Sequence, residues 1–429
     1  MHYDRLRYRS YWRLPEEDYA CDSAPLPEKA DIVVCGSGFT GLSAALTLSE
    51  AGRNVCLIEA ETFGHGASTR NAGMVGDRLK GSFGDLSRRF GEGGAHDLLA
   101  EARASVDYVE DLVGRLGIDC GFRRMGRFYP AYKPAHYEAQ ARALEELKKH
   151  FGINAEMVPP SKMDEYLLSP LYHGGWVHHD TGGLHPGRFH QGLFSAALKA
   201  GTKAFSRTRL TGWKRDGKGG MVLQTSRGEI RCRELVMATN GYGVRHLPDF
   251  SQRIIPIKSF IIATEPMEPE RLQALMPGGR MMADSRAMLR YFRISPDGTR
   301  LILGGRTRAF EDDLSTSARV LRQAMTEIFP DLDDVAIDYV WGGYVAYAMD
   351  GMPHIGRLHG VWHAMAYTGS GVAMAPWLGH KLALKILGRE EEGKTAFDRL
   401  PLRRIPFYHG DPWYLPAVAA WYRLRDMIG

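Results

Sequence analysis

An α/β fold is predicted by three features of this 429-residue chain. An apolar strand near the start runs straight into a glycine-rich turn and a helix. A second glycine-rich strand–loop–helix lies near the end, and strand-rich segments separate the two. The first unit is the most specific. Ile32 to Cys35 form an apolar run suited to a buried parallel strand, and Gly36-Ser-Gly38-Phe39-Thr40-Gly41 follows at once. In such a turn the first glycine permits the tight bend, the second lets a pyrophosphate approach the backbone, and the third lets the helix lie close on the sheet. The helix N-terminus adds unpaired N–H groups and a positive dipole end. Leu42, Ala45, Leu46 and Leu48 give the helix an apolar face, Gly52 ends it, and Asn54 to Ile58 form a second apolar strand. Glu59 follows, 18 residues after Gly41, close to the distance at which an acid meets a ribose hydroxyl. An acid there suits FAD or NAD and disfavours the 2′-phosphate of NADP. The unit reads as a Rossmann-like dinucleotide site.

The other elements follow in order. Residues 1–27 form a polar arm ending at Pro25-Leu-Pro27. Residues 28–80 hold the dinucleotide unit and a glycine-rich loop. Residues 85–150 read largely as helix, with Leu98, Ala102, Val106, Val109 and Val113 at near-helical spacing. An amphipathic helix ends at Ala200. Leu210 to Arg231 is hairpin-like, with turn signals at Asp216-Gly217 and Lys218-Gly-Gly. Leu235 to Ala238 is a short apolar strand closed by Thr239-Asn-Gly241-Tyr242. Ile254 to Thr264, Leu289 to Ile294 and Leu301 to Leu303 read as strands, Thr316 to Ile328 as helix, and His363 to Leu387 as the last strand–loop–helix. No internal repeat is visible.

Composition excludes several classes. Lys and Arg number 55 against 50 Asp and Glu, and the arginines are scattered, which argues against a nucleic-acid stripe. The five cysteines, Cys21, Cys35, Cys56, Cys120 and Cys232, form no C-x-x-C pair, a profile of a reducing compartment without a disulfide framework or metal site. The N-terminus lacks an apolar signal region. The uncharged run Val361 to His380 contains Gly, Ser, Thr, Pro and His and reads as strand and buried helix, with no membrane span. A cytoplasmic location is expected.

Several strings together resemble the FAD-dependent amine and amino-acid oxidoreductases typified by glycine oxidase, monomeric sarcosine oxidase and D-amino-acid oxidase, and in particular the γ-glutamylputrescine oxidoreductase branch. They are the Gly36–Gly41 turn with Glu59, Gly66-Ala-Ser68-Thr69-Arg70-Asn71-Ala72-Gly73, Ala238-Thr239-Asn-Gly241-Tyr242, Ala263-Thr-Glu-Pro266, Trp341-Gly-Gly343 with Asp350-Gly-Met-Pro-His-Ile-Gly356, and Gly369-Ser370-Gly371-Val372. The resemblance spans Ser10 to about Gly388. It implies an FAD-binding domain (28–105, 170–245 and 340–395) interleaved with an α+β substrate domain on an antiparallel sheet (106–169 and 246–339), plus a tail at 396–429. It also implies that Ala60, Met74 and Leu210 join the motif residues in holding FAD.

The resemblance further implies oxidation of an amine C–N bond by hydride transfer to flavin N5, giving an imine and then an aldehyde or keto product. Oxygen is reduced to peroxide; an acceptor quinone or carrier protein is the alternative, and an RNA-modifying flavoprotein is an alternative of another class. Val345 and Ala373 stand where relatives carry an arginine or a lysine for the substrate α-carboxylate, so a longer or substituted amine of the γ-glutamylputrescine type is expected. With no cysteine after Cys232, FAD is expected to be non-covalent. Lys258, on a strand bordering the flavin cavity in relatives, is the candidate for promoting oxygen reduction. Alternation puts Tyr291 and Arg293 on one strand face, where they are candidates for a remote carboxylate or an amine chain. Tyr347 and Tyr367 flank the flavin motifs as candidate walls.

Overall fold

The apolar run before the glycine turn becomes the central strand, Lys29–Cys35, of an eight-stranded sheet. The structure is a computed structural model that describes residues 2–19, 25–243, 247–307, 313–410 and 412–428. The central strand pairs in parallel with Val55–Ile58 on one side and Gly228–Met237 on the other. Lys203–Phe205 and Val361–Met365 extend the parallel set outward. Cys35 stands level with both Ile58 and Met237, so these strands end on one edge. Strand order reverses at the Gly36 turn, the place where ligands of such sheets bind. His354–Leu358 closes one side antiparallel to Val361–Met365.

The expected hairpin at 210–231 is part of a three-stranded unit. Leu210–Arg215 and Met221–Thr225 are joined through Asp216, whose Oδ1 accepts from the N–H groups of Lys218 and Gly220 at 2.8 Å. The third strand runs unbroken over Gly228–Met237, so Leu235 does not begin a separate one. Its first half alternates, with Ile230 and Cys232 buried. Its second half, covered on both faces, is buried from Leu235 to Met237.

Helices Phe39–Glu50, Pro186–Lys199 and Gly371–Ile386 cover the sheet. A Cβ on Gly41 would lie 1.9 Å from the Gly36 carbonyl oxygen, and one on Gly379 would lie 2.3 Å from that of Thr40. Both glycines are needed for backbones to touch. Among the described residues no helix is long and apolar enough to cross a membrane. Cys35, Cys56, Cys120 and Cys232 are free and buried; Cys21 lies outside the described residues.

A second eight-stranded sheet has the order Ile337–Tyr347, Ile255–Thr264, Leu301–Gly305, Arg290–Ile294, Met281–Ala283, Arg127–Pro130, Gly175–His178, Ala155–Val158. Only Met281–Ala283 and Arg127–Pro130 pair in parallel. On one face Phe260, Ile262, Phe292, Leu303 and Val340 pack with helix Leu314–Ile328. On the other, Ile261, Ala263, Ile302, Tyr339 and Trp341 pack with Trp12 of the N-terminal arm and Ala72 of the glycine-rich loop. The stretch 85–150 is not one helical region. Helices Phe83–Leu116 and Pro134–Phe151 flank the strand Arg127–Pro130. That strand has only four residues, and its partners, Met282 and Val177 among them, are remote in sequence, so nothing local announces it. In the tail, helix Leu415–Ile428 docks through Asp426, whose carboxylate accepts from the N–H groups of Ala287 (2.7 Å) and Met288 (2.9 Å).

Candidate active site

A cavity of about 250 Å³ opens where the parallel strands end. Its floor is the glycine turn: Gly36, Gly38, Phe39 and Thr40 line it, and Gly41 lies beneath, against Gly36. The Gly36 N–H donates to Ile58 O at 2.8 Å, fixing the turn to the next strand. Glu59 and Ala60 form one wall. One Glu59 oxygen accepts from Ser37 N–H (3.0 Å) and Ser37 Oγ (2.9 Å), and the other accepts from Glu61 N–H at 3.0 Å. The acid is therefore held at the turn itself. Leu210 is buried behind this wall, and its neighbour Arg209 lines the cavity, paired with Glu61 at 2.6 Å.

The glycine-rich loop forms a second wall through Ser68 and Asn71. Ser68 Oγ accepts from Phe39 N–H at 2.8 Å, at the start of the helix. Asn71 pins the loop: its Nδ2 donates to Ala67 O and Ser68 O, and its Oδ1 accepts from Gly73 N–H at 2.7 Å. The loop's other predicted residues, Thr69, Arg70, Ala72, Gly73 and Met74, do not line the cavity. The Thr69 carbonyl accepts from Ser10 Oγ at 2.7 Å, and Arg70 Nη1 donates to Gly342 O at 3.0 Å. These residues fasten the loop to the arm and the second sheet.

The far end is made by Thr239, Tyr367, Gly369, Gly371 and Val372. Gly241 sits behind it, while Asn240 and Tyr242 line it. Ser370 caps helix Gly371–Ile386 without a side-chain bond to it; its hydroxyl donates instead to Arg78 O. The first N–H groups, at Gly371 and Val372, have no acceptor within the helix. Backbone strain concentrates here. Asn240, Ala366 and Thr368 adopt φ of 46°, 66° and 54°, each costing on the order of 1–3 kcal/mol. Asn240 Oδ1 accepts from Ala366 N–H at 3.0 Å and holds two of them together. Tyr367 OH donates to Ala364 O (2.8 Å) and accepts from Thr40 Oγ1 (2.6 Å), joining both ends of the cavity.

The donor set fits FAD. A helix N-terminus with a glycine floor suits the pyrophosphate, Glu59 suits the ribose, and a second helix N-terminus suits the anionic edge of the ring. His190 also lines the cavity, although nothing in its sequence setting singles it out. Its Nε2 donates to Ser37 O at 2.7 Å and its Nδ1 accepts from Tyr19 OH at 3.1 Å. Burial lowers its pKa to about 4, so it braces the turn as a neutral ring. Burial also pushes the Cys35 thiol up to about 12, which leaves it as inert packing.

Above this cavity stands one face of the second sheet. Residues paired across strands share a face, and the pairs are Ser259 with Gly343, Ile257 with Val345, and Tyr291 with Gly304. Val345 and Tyr347 alternate on from Gly343, and Arg306 on from Gly304. Val345 lines the cavity. Ser259 Oγ and Tyr291 OH are 2.8 Å apart, and a Cβ on Gly304 would be 2.3 Å from the Tyr291 ring, so that ring lies flat on the sheet. Burial raises the Tyr291 pKa to about 12. Arg306 Nη2 donates to Tyr347 OH at 2.6 Å.

Two expected positions change. Arg293 shares the face of Tyr291 but is only 2% exposed. Its Nη1 donates to the carbonyls of Ala72 (3.2 Å), Gly73 (3.3 Å) and Leu184 (2.8 Å), and its Nε to Ile294 O (3.0 Å). It braces the glycine-rich loop from behind and is not presented to a substrate carboxylate. Lys258 pairs with Tyr344 across strands, on the face opposite Ser259, with Nζ 5.5 Å from the Tyr344 ring centre. Lys258 itself does not line the cavity, whereas Tyr344 does. Glu92, His96 and His150 also come together, on the helices Phe83–Leu116 and Pro134–Phe151, and none of them lines the cavity.

Known proteins agree with this geometry. Residues 31–384 match the model of the family described as DAO, FAD dependent oxidoreductase. The chain is 32% identical to a probable oxidoreductase OrdL of Rhizobium meliloti, over 94% of this chain and 93% of that one. It is 28% identical to gamma-glutamylputrescine oxidoreductase of Escherichia coli, over 98% of both. Among solved structures, glycine oxidase from Geobacillus kaustophilus superposes with a TM-score of 0.73 at 20% identity, over 89% of this chain and 99% of that one. With its cavity built for FAD and its family match running from the first strand to the last long helix, the chain belongs to the DAO family of FAD-dependent oxidoreductases.

Proposed function

We propose that this oxidoreductase oxidises an amine at its C–N bond, that the amine is a longer or substituted one of the γ-glutamylputrescine type, and that oxygen takes the electrons and leaves as peroxide. The observation that carries the substrate reading is Val345. It is an apolar side chain on the cavity wall, and the one arginine among the lining residues, Arg209, is already paired with Glu61. An α-carboxylate next to the reacting carbon finds no charged partner there. The identity to gamma-glutamylputrescine oxidoreductase along the whole chain supports the same reading.

FAD, once bound, supplies the hydride acceptor. The protein's part is to hold and orient. Gly36, Gly38 and Glu59 would hold the dinucleotide half, and Gly371 and Val372 the ring's pyrimidine edge. Ser259 and Tyr291 offer a fixed hydroxyl pair for placing the amine's chain. An amine must lose its proton before it gives up hydride, and desolvation in the cavity favours the neutral form. Lys258 is retained as the candidate for assisting oxygen, acting past Tyr344.

The cofactor unit (28–105, 170–245 and 340–395), the substrate unit (106–169 and 246–339), non-covalent FAD and a cytoplasmic setting belong to the same proposal. Strands Gly175–His178 and Ile337–Tyr347 lie in the second sheet, which moves the edges of the cofactor unit inward. Four free buried cysteines support the reducing compartment.

The test is anaerobic bleaching of the flavin by glycine, sarcosine, D-alanine, putrescine and N-acylated putrescines, with peroxide measured when air is readmitted. Longer amines are expected to bleach fastest. A small α-amino acid as the best substrate would overturn the reading of Val345. Bleaching without peroxide would assign the electrons to a carrier. Flavin left on the acid-precipitated chain would contradict non-covalent binding.

A further inference from the structure

We propose that Arg306, Lys80 and Tyr347 form a carboxylate-binding subsite, so that the substrate is an amine bearing a carboxylate several bonds from its reacting nitrogen. This rests on the amine reading above.

Two cations share one phenol ring. The Arg306 guanidinium carbon lies 5.5 Å from the Tyr347 ring centre and its Nη2 donates to the hydroxyl at 2.6 Å. Lys80 Nζ lies 5.9 Å from the same ring centre. Among the described residues neither cation has a carboxylate within ion-pair distance. Other half-buried arginines of the chain do have one: Arg300 pairs with Asp338 at 2.8 Å, and Arg124 with Asp107 at 2.6 Å. Arg290 is not part of this group: it pairs with Gly305 on the opposite face of the sheet and donates from Nη1 only to the Arg306 carbonyl, at 3.2 Å. Two like charges that share one ring without an ion pair repel one another, and an incoming anion relieves that cost.

The place suits a substrate group. Tyr347 stands two residues beyond Val345 on the same strand face, roughly 6–7 Å along the sheet. Lys80 stands two residues beyond Arg78, whose carbonyl accepts the Ser370 hydroxyl at the flavin-ring end of the cavity. The cationic group is therefore displaced along the strand from the position where relatives clamp an α-carboxylate. A short amino acid does not reach it while presenting its Cα–H beneath Val345; an amine with an amide-linked acid tail does. Arg306 supplies a planar fork for the carboxylate, Tyr347 fixes that fork, and Lys80 adds charge from the loop side.

The test uses the holoenzyme and two amines differing in one carboxylate, N-glutarylputrescine and N-acetylputrescine. The wild type is expected to prefer the glutaryl amine by on the order of tenfold to a hundredfold in kcat/KM. Arg306→Gln is expected to collapse that ratio towards one by raising KM for the glutaryl amine, Lys80→Gln to lower it less, and Arg306→Lys to restore part of it. Glutarate, which cannot react, is expected to perturb the visible flavin spectrum of the wild type, and Arg306→Gln to weaken that titration at unchanged flavin content. Equal kcat/KM for the two amines in the wild type, or an unchanged ratio in Arg306→Gln, would overturn the subsite. Failure of every amine to bleach the flavin, with glutarate still binding through Arg306, would instead overturn the amine reading and leave the subsite standing.

Discussion

The floor and the roof of the cavity are made of different material. The floor is backbone: glycines at 36, 38 and 41, two helix N-termini, and side chains such as Asn71 and Asn240 that act mainly on neighbouring peptide groups. The roof, the sheet face above the cavity, is side chains: Ser259, Tyr291 and Tyr347 come from three strands, Arg306 from the residue just after a fourth, and Lys80 from a connecting segment. FAD is common to the family and can be met by peptide N–H groups, which any sequence supplies once the turn is right. A substrate differs between relatives and must be met by side chains. Breaking the floor should therefore abolish the cofactor, and breaking the roof should only alter selectivity.

The sharpest test of the floor is Gly41→Val. The Cβ alone would lie 1.9 Å from the Gly36 carbonyl, which is backbone and cannot give way without moving the turn. The expected cost exceeds about 3 kcal/mol, the upper range for overpacking, and the purified protein should be colourless at visible wavelengths. A yellow variant with normal stability would mean that the turn relaxes freely and that the backbone account is wrong.

The same division explains what was legible in the sequence. The unit from Ile32 to Glu59 is local, so its spacing announces it, and the loop before Val372 is equally local and is legible through its resemblance to the family's flavin loop. Strand alternation also placed Tyr291 and Arg293 on one face, as found. What alternation could not show is depth. Tyr291 reaches Ser259 over a bare Gly304, whereas Arg293 is covered by the glycine-rich loop and spends its donors on Ala72, Gly73 and Leu184. Arg306 escaped notice because its partners, Tyr347 and Lys80, are set by the pairing of remote strands and by a connecting segment. His190 escaped because a histidine on an amphipathic helix carries no signal until Ser37 O is seen above it.

Acid should act on the floor before the roof. His190 is buried and neutral with a pKa of about 4, and His185, His363 and His380 are likewise depressed to about 4, chiefly by burial. The unfolded chain takes up these protons near pH 6.5. Stability is then full above about pH 6.5 and falls as pH drops towards 4, by on the order of 3 kcal/mol for one such buried histidine. Flavin release should follow the same window. His190→Gln, which does not titrate there, should flatten the pH dependence of melting between pH 6.5 and 4. A variant with the wild-type slope would remove His190 from the account.

Arg293 distinguishes a brace from an anchor. Arg293→Met removes the donor shared by three carbonyls and should cost about 2 kcal/mol, read as a lower melting temperature and weaker flavin retention. Because its guanidinium faces the loop, the selectivity between carboxylated and uncharged amines should stay as in the wild type. Loss of that selectivity, with flavin held normally, would return Arg293 to the substrate's side.

The smallest expected effect belongs to Tyr291. Its hydroxyl meets Ser259 Oγ at 2.8 Å in a pair of neutral groups, and such a bond contributes about 0.5–1.5 kcal/mol net. Tyr291→Phe should therefore change kcat/KM for a good amine by at most about tenfold. The ring itself, flat over Gly304, remains and keeps the shape of the roof. Since burial raises the phenol to about 12, it carries its proton throughout pH 6–10, and the pH profile of the variant should overlay that of the wild type. A profile that lost an ionisation between pH 7 and 9 would show that the phenol titrates in the holoenzyme and takes the proton from the amine. The roof would then hold an acid–base group as well as a binding surface, and the contrast between a chemical floor and a selective roof would fail.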